Sequence, residues 1–493
     1  MKSRSPSSPR LVACGTFVAL LGLAPFVRAQ SERTSKPRNV VLLLADDLGW
    51  AELGCYGQQK IRTPQLDRLA AQGMRFTQGY AGAPVCAPSR CVFLTGVSSP
   101  FAEIRDNREV GPEGQEPLSD GAITLAEMLR DAGFVCGAFG KWGLGGSGSS
   151  GDPIKQGFLR FFGYHCQREA HSYYPRWLWL DEERVWLDNP AVPAHEQAAV
   201  GVIDFARYRG REYAPDRILA AAKGFVRAHA DRPFFLYVPF IQPHLGMQPP
   251  PDLVDAYPVE WDDAPYRGGK GYVPHPRPRA GYAAMISDLD RQVGELLALL
   301  DELALSDDTL VVFTSDNGAT HDVGGVDTDF FASTGPLRGR KGSVYEGGLR
   351  VPWLVRWPGH VAAGSVSDEV VAAQDLMATI AEATGTACPA ACDGVSFLEV
   401  LTGQQVERAP RETLAFEFRG YGGQKALRVG NHKAVMRGIQ RGDTGIEVYD
   451  LGSDPGESRD IAASQEHFVA RARAWFATER APSSRFPLKG FDH

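Results

Sequence analysis

The sequence has no basic tail and no run of lysines or arginines, and its formal net charge is −7 at pH 7. Nucleic acid is therefore a poor partner for it. An anionic substrate would have to be drawn by a local cationic pocket, because the field of the whole molecule repels it. Past residue 29 no apolar run is long enough to cross a bilayer. Cysteines are few and poorly spaced for zinc: only Cys388 and Cys392 form a tight pair, and a structural zinc site needs two close Cys/His pairs. No segment repeats. What is there is an ordinary globular profile over 493 residues, 43% hydrophobic and 23% charged, which supplies a large core and excludes a disordered chain. The length suggests one large domain with a smaller one beside it.

Residues 1–29 have the layout of a secretory signal peptide. Lys2, Arg4 and Arg10 are basic, residues 11–27 are apolar, and Val27-Arg28-Ala29 resembles a cleavage site. Gly15, Gly22 and Pro25 interrupt the apolar stretch, which makes it a poor spanning helix. Leu11-Val12-Ala13-Cys14 lacks the preceding apolar segment of a lipoprotein box. Cleavage would export the chain to a periplasmic or extracellular space with no membrane attachment. It would also remove Lys2, Arg4, Arg10 and Arg28, taking the net charge from −7 to −11. Cys55, Cys86, Cys91, Cys136, Cys166, Cys388 and Cys392 would remain, an odd number, so at least one thiol is left over. Cys388 and Cys392 could bridge a small loop.

Asn39-Val-Val-Leu-Leu-Leu-Ala45 is a continuous apolar run, the pattern of a strand buried on both faces, and it ends in Asp46-Asp47. Thr63-Pro64 starts a helix with Leu66, Leu69 and Ala70 inward and Gly73 after it. A second helix is expected over about residues 124–131, leading into an apolar segment at 134–139. Residues 231–239 read as a strand, residues 281–303 as a long amphipathic helix, and residues 309–314 as another buried strand that ends in Ser315-Asp316-Asn317-Gly318. Strands alternating with amphipathic helices predict an α/β sandwich around a largely parallel sheet. From about residue 404 the texture turns to short alternating segments, which predicts a small antiparallel subdomain. The expected division is thus 1–29 signal, 30–403 large domain and 404–493 C-terminal subdomain.

Ligands in open α/β sheets bind beyond the carboxyl ends of the strands. Two such ends carry Asp46-Asp47 and Asp316-Asn317. If the strands are neighbours, three carboxylates and an amide converge, a like-charge cluster that calls for a cation. All-oxygen ligation suits Ca²⁺ or Mg²⁺ better than zinc. Used singly, these residues are more often turn and cap residues. In Cys86-Ala87-Pro88-Ser89-Arg90, Pro88 fits the first turn of a helix. Cys86 would then sit where unpaired backbone N–H groups favour an anion, with Arg90 adding fixed positive charge. The plain alternative is a buried structural cysteine.

Cys-x-Pro-Ser-Arg resembles the signature of the type I sulfatases, in which this cysteine is oxidised to formylglycine. Further segments are similar in the family's order: residues 39–49 with the first metal strand, Gly140-Lys141-Trp142-Gly143-Leu144-Gly145, Gln242-Pro243-His244, residues 314–318, Pro336-Leu337-Arg338-Gly339-Arg340-Lys341 with Tyr345-Glu346-Gly347-Gly348, and Val448-Tyr449-Asp450-Leu451 with Asp454-Pro455. The resemblance covers nearly all of the mature chain. It implies an alkaline-phosphatase-like α/β/α sandwich with a small C-terminal antiparallel α+β subdomain. It also implies one Ca²⁺, with Mg²⁺ as second choice, held by Asp46, Asp47, Asp316, Asn317 and position 86. Formylglycine at Cys86, installed by a formylglycine-generating enzyme and hydrated to a geminal diol, would be the nucleophile. Arg90, Lys141 and Lys341 would offset charge on the sulfuryl oxygens, and His244 would protonate the leaving sugar oxygen. His171 and His321 are candidates for sugar contacts. Gly143 departs from the family, many of whose members carry histidine there.

A secreted sulfatase acting on a sulfated carbohydrate is the leading reading. A phosphonate or phosphate ester hydrolase using the same groups is the second, and paired aryl sulfate and phosphate esters separate the two. A catalytically inert carbohydrate-binding protein is the third, and the intact Cys86, Arg90, Lys141, His244 and Lys341 set speaks against it.

Overall fold

Strand β1 (Asn39–Ala45) is buried at every residue, and it lies near the middle of a ten-stranded sheet. In the computed structural model the described residues are 1, 36–195, 201–269, 272–404, 411 and 413–492. The chain divides into the units Met1–Arg33 and Thr34–His493. Apart from Met1, the signal segment read in the sequence lies outside the described residues. The second unit holds everything that follows.

The remaining strands of the large sheet are β2 (Met74–Tyr80), β3 (Val135–Lys141), β4 (Arg160–Tyr164), β5 (Trp177–Leu180), β6 (Glu183–Trp186), β7 (Phe234–Pro239), β8 (Thr309–Ser315), β9 (Trp353–Arg356) and β10 (Ser365–Ala372). Their spatial order is β10-β2-β9-β8-β1-β7-β3-β4-β5-β6. From β8 through β1, β7 and β3 to β4 the strands run parallel, whereas β9 and the β5–β6 hairpin run antiparallel to their neighbours. Val41, Leu43 and Ala45 enter one hydrophobic core, and Val40, Leu42 and Leu44 enter the other. The period-two alternation of a strand thus feeds both faces, which is why β1 reads as an unbroken apolar run. Helices Pro64–Ala71, Ala214–Ala228 and Pro278–Glu302 bury residues in the first core. Helices Cys86–Thr95, Leu125–Asp131 and Asp375–Thr384 do so in the second. Helix Leu125–Asp131 opens with a capping box: the Thr124 hydroxyl accepts from Glu127 N, and the Glu127 carboxylate accepts from Thr124 N. Thr63 does not cap its helix, because its hydroxyl accepts from Gly54 N at 2.8 Å instead.

A separate antiparallel sheet follows: β11 (Leu414–Phe418), β12 (Gln424–Val429), β13 (His432–Arg437) and β14 (Ile446–Asp450), covered by helix Glu466–Thr478. It is tied to the Lys341–Glu346 segment. Gln424 Nε2 donates to Gly342 O at 2.7 Å, and buried Lys433 pairs with Glu346 at 2.8 Å and Glu457 at 2.9 Å. Burial would raise the Glu346 carboxyl, yet Lys433 and Arg350 outweigh it and bring it down to about 2. Removing one member of such a buried network strands the others. Lys433→Ala is expected to cost about 3–5 kcal/mol in urea unfolding, and a loss below about 1 kcal/mol would show that water replaces the ammonium.

Among the described residues all seven cysteines are free, Cys388 and Cys392 included, so the small loop bridge open in the sequence is not made. No described helix is long and apolar enough to cross a membrane.

Candidate active site and metal centre

Parallel pairing of β1 with β8 sets Ala45 opposite Ser315, so Asp46-Asp47 and Asp316-Asn317 leave the sheet side by side. Asp47 turns in the left-handed region at φ 68°, an uncommon conformation for a residue with a side chain. Its backbone N donates to Asp316 Oδ1 at 3.1 Å, and Asn317 Nδ2 donates to Asp47 Oδ1 at 2.8 Å. All four residues are buried.

Cys86 is the first residue of helix Cys86–Thr95 and is buried against this pair of strand ends. Its thiol lies 3.4 Å from Asp46 Oδ1 and 3.7 Å from Lys141 Nζ. One helical turn on, Arg90 donates through Nε and Nη2 to Asp316 Oδ2 at 3.0 and 2.8 Å. Lys141, the last residue of β3, donates to Asp46 Oδ2 at 2.5 Å. Lys341 donates to Asp47 Oδ2 at 2.8 Å. The three carboxylates are therefore faced by three buried cations, a balance not visible in the sequence. Burial opposes the charge on Asp46, but Lys141, His244, Arg90 and Lys341 prevail and hold its carboxyl well below the usual range. Asp316 is the converse: burial and the Asp46 charge outweigh Arg90 and push it up to about 7.

His244 follows β7. Its Nδ1 lies 2.5 Å from Leu245 O, and since a carbonyl only accepts, Nδ1 carries a proton. Nε2 then faces Asp47 Oδ2 at 3.6 Å. Burial, then Lys341 and Lys141, hold the His244 imidazole well below its ordinary pKa.

Asp46, Asp47, Cys86 and His244 offer donor atoms that all lie within 4.8 Å of one another. Beside them the Asn317 Oδ1 atom is buried without a hydrogen-bond partner. Convergent carboxylate oxygens and an orphaned amide oxygen fit a hard divalent cation. Asp316 stands at the edge of this group, with its oxygens engaged by Arg90 and Asp47 N.

A cavity of about 230 Å³ opens over Cys86, with Lys141, His171, His244, His321 and Lys341 in its wall. All the expected catalytic and sugar-contact residues except Arg90, which lies beneath, meet there. His321 is at the rim, with Nε2 3.1 Å from Tyr421 Oη. Sequence reasoning missed Asn107, Gln167, Tyr272 and Tyr421, which share the lining. No spacing marks them, since each arrives on a loop from elsewhere in the chain. Gly143 has φ +83°, and a Cβ there would meet Gln167 Cγ at 2.9 Å. Gln167 occupies that space, and its Nε2 reaches Asn107 Oδ1 at 3.4 Å.

The mostly parallel sheet with a core on each face is the sandwich of the sulfatases in the alkaline phosphatase superfamily. The sulfatase family profile matches residues 38–386, and that of the N-sulphoglucosamine sulphohydrolase C-terminal region matches residues 340–474. The chain belongs to the sulfatase family, whose members hydrolyse sulfuric esters. It is 32% identical to human arylsulfatase A over 467 residues, 87% of this chain and 84% of that protein. To the N-acetylgalactosamine-6-O-sulfatase of Bacteroides thetaiotaomicron it is 28% identical over 527 residues, covering 93% of this chain and 96% of that one. The crystal structure of Ps i-CgsB overlays with a TM-score of 0.74 at 25% identity, over 92% of this chain and 95% of that chain.

Proposed function

We propose that the protein hydrolyses the sulfate ester of a sulfated carbohydrate in the cavity over position 86. One observation carries this: Cys86, Lys141, His244 and Lys341 line a single cavity, and Asp46 and Asp47 lie buried against Cys86, Lys141 and Lys341. The similarity to an N-acetylgalactosamine-6-O-sulfatase supports a sugar as the alcohol component. In this reading the chain is exported after loss of residues 1–29, residues 30–403 form the catalytic domain, and residues 404–493 form the C-terminal subdomain. Nucleic acid and membrane have no part in it.

Conversion of Cys86 to formylglycine by a generating enzyme, followed by hydration of the aldehyde to a geminal diol, supplies the nucleophile. One hydroxyl attacks sulfur and the alcohol leaves, then the other hydroxyl loses its proton and expels sulfate as the aldehyde reforms. Asp46, Asp47, Asp316, Asn317 and position 86 would hold a divalent cation, Ca²⁺ before Mg²⁺, which would polarise the sulfate oxygens when bound. Lys141 and Lys341 exchange part of their contact with Asp46 and Asp47 for the sulfuryl oxygens, where charge spreads during transfer. Arg90, held on Asp316 and 3.7 Å from Asp46, adds its fixed positive charge to theirs. An arriving anionic sulfate offsets the two lysines that depress the His244 pKa, so the ring gains a proton on Nε2 and can donate it to the leaving oxygen. His171 and His321 contact the sugar.

Sulfate release from a panel of defined sulfated mono- and oligosaccharides tests the proposal, with aryl sulfate and aryl phosphate esters run in parallel. Phosphate ester cleavage in excess of sulfate cleavage would overturn it in favour of the phosphonate and phosphate hydrolases. For the metal, chelation is expected to lower the thermal midpoint and Ca²⁺ to restore it. A hundredfold excess over Kd stabilises by about 2.7 kcal/mol. A midpoint indifferent to chelator and to Ca²⁺, with no divalent ion found by elemental analysis, would remove the cation from the proposal.

A further inference from the structure

The His171 ring forms part of the cavity wall and stacks on His244, with centroids 4.4 Å apart and planes 16° apart. Its Nδ1 meets His195 Nε2 at 2.8 Å. His195 stands behind His171, packed at 5.4 Å against Tyr272, which also lines the cavity. The backbone at His171 is anchored too: its carbonyl accepts from Gly246 N at 3.1 Å, and Ser172 O accepts from the Tyr164 hydroxyl at 2.6 Å. His171 therefore has one ring nitrogen engaged, which leaves Nε2 to the cavity.

A hydrogen bond between two imidazoles uses one proton, and whichever ring donates, the other nitrogen of each is thereby assigned its role. It also sets the ring plane, here nearly parallel to His244. Without a partner at Nδ1, the His171 side chain could turn about its torsions, because a stacking contact alone leaves rotation in the ring plane cheap.

We propose that His195 is a positioning residue: it locks the His171 ring against His244, so that His171 Nε2 meets a hydroxyl of the leaving sugar. The proposal rests on the carbohydrate reading of the cavity. His171 binds the sugar in the ground state and the transition state alike, so its orientation governs KM more than kcat.

The experiment is a double-mutant cycle on the saccharide that the protein desulfates fastest within the panel, with 4-nitrophenyl sulfate as the substrate that has no sugar hydroxyl. His195→Ala is expected to raise KM for the saccharide about tenfold, the scale of one hydrogen bond, with a much smaller change on 4-nitrophenyl sulfate. His195→Gln, whose amide can still meet Nδ1, is expected to recover to within about threefold of the parent. His171→Ala should lose as much as the double variant, because His195 acts only through His171. Thermal midpoints of all variants separate this from a loss of folded protein. Additive losses in the double variant, equal losses on the two substrates, or an unaffected His171→Ala would overturn the proposal. If the parent protein cleaves 4-nitrophenyl sulfate but no saccharide, the carbohydrate reading falls and takes this proposal with it, a result distinct from additive losses, which remove His195 alone.

Discussion

Cys86→Ala is expected to leave turnover of every sulfate ester at background, a fall of about 10⁶-fold, the scale seen when an enzyme loses its nucleophile. Stability should change little, because the substitution deletes one sulfur atom from a site already walled by charged groups. The reason for so large a loss lies in the surroundings of the thiol. Burial and the Asp46 charge push its pKa up, and Lys141 and Lys341 do not offset them. An unconverted Cys86 is therefore held as a thiol, a weak nucleophile. Position 86 becomes reactive through chemical conversion, which peptide mass spectrometry would register as the aldehyde. The fraction converted should track the specific activity across preparations. Full activity from protein whose Cys86 is entirely unconverted, or from Cys86→Ala, would remove the nucleophile assignment.

The parts of this fold that could be read in advance are those where burial dictates composition. β1 and β8 are buried at every residue, so both appear as apolar runs, and their ends are correct to within one position. The two lie 270 residues apart at the paired ends, and nothing local says that they are neighbours; pairing is a property of the whole sheet. Several of the missed elements have weak or mixed patterns. β5 and β6 are four residues each, the first mostly half-buried and the second mostly exposed, and β10 is an edge strand with a register shift at Ser367/Val370. At the site, Cys86, Lys141, His244 and Lys341 were legible because each sits in a recognisable short motif. Their charge balance was not, since it depends on Lys141 meeting Asp46 and Lys341 meeting Asp47 across the sheet. Gln167 and His195 were invisible for a related reason. One matters through the space above Gly143 and the other through a ring edge behind His171, and neither relation has a signature in spacing.

His244→Ala is expected to lose about 10²–10⁴-fold in kcat/KM on a sulfated saccharide and far less on an activated aryl sulfate. The difference follows from the leaving groups. A sugar alkoxide is a poor leaving group and needs a proton as the S–O bond breaks, whereas nitrophenolate departs unaided. With Nδ1 committed to Leu245 O, only Nε2 can deliver that proton; it is the atom turned toward Asp47, on a ring that lines the cavity. The pH profile carries a second signature. kcat/KM reports the free enzyme, in which burial, Lys341 and Lys141 hold the His244 pKa well below 6.5. The protonated ring is the active form, so kcat/KM on the saccharide should fall as pH rises through that low pKa. This alkaline decline should be absent in His244→Ala and weak with the aryl sulfate. Equal losses on both substrates, in a variant shown to be folded and still able to bind the cation, would mean that His244 positions sulfate or completes the donor group of Asp46, Asp47 and Cys86. Lys341 is then the next candidate for the acid. Its ammonium is held well above the ordinary lysine value by Asp47, Cys86 and Asp46 in spite of burial. An acid with so high a pKa would keep the saccharide rate level through neutral pH, so the shape of the profile tells the two donors apart.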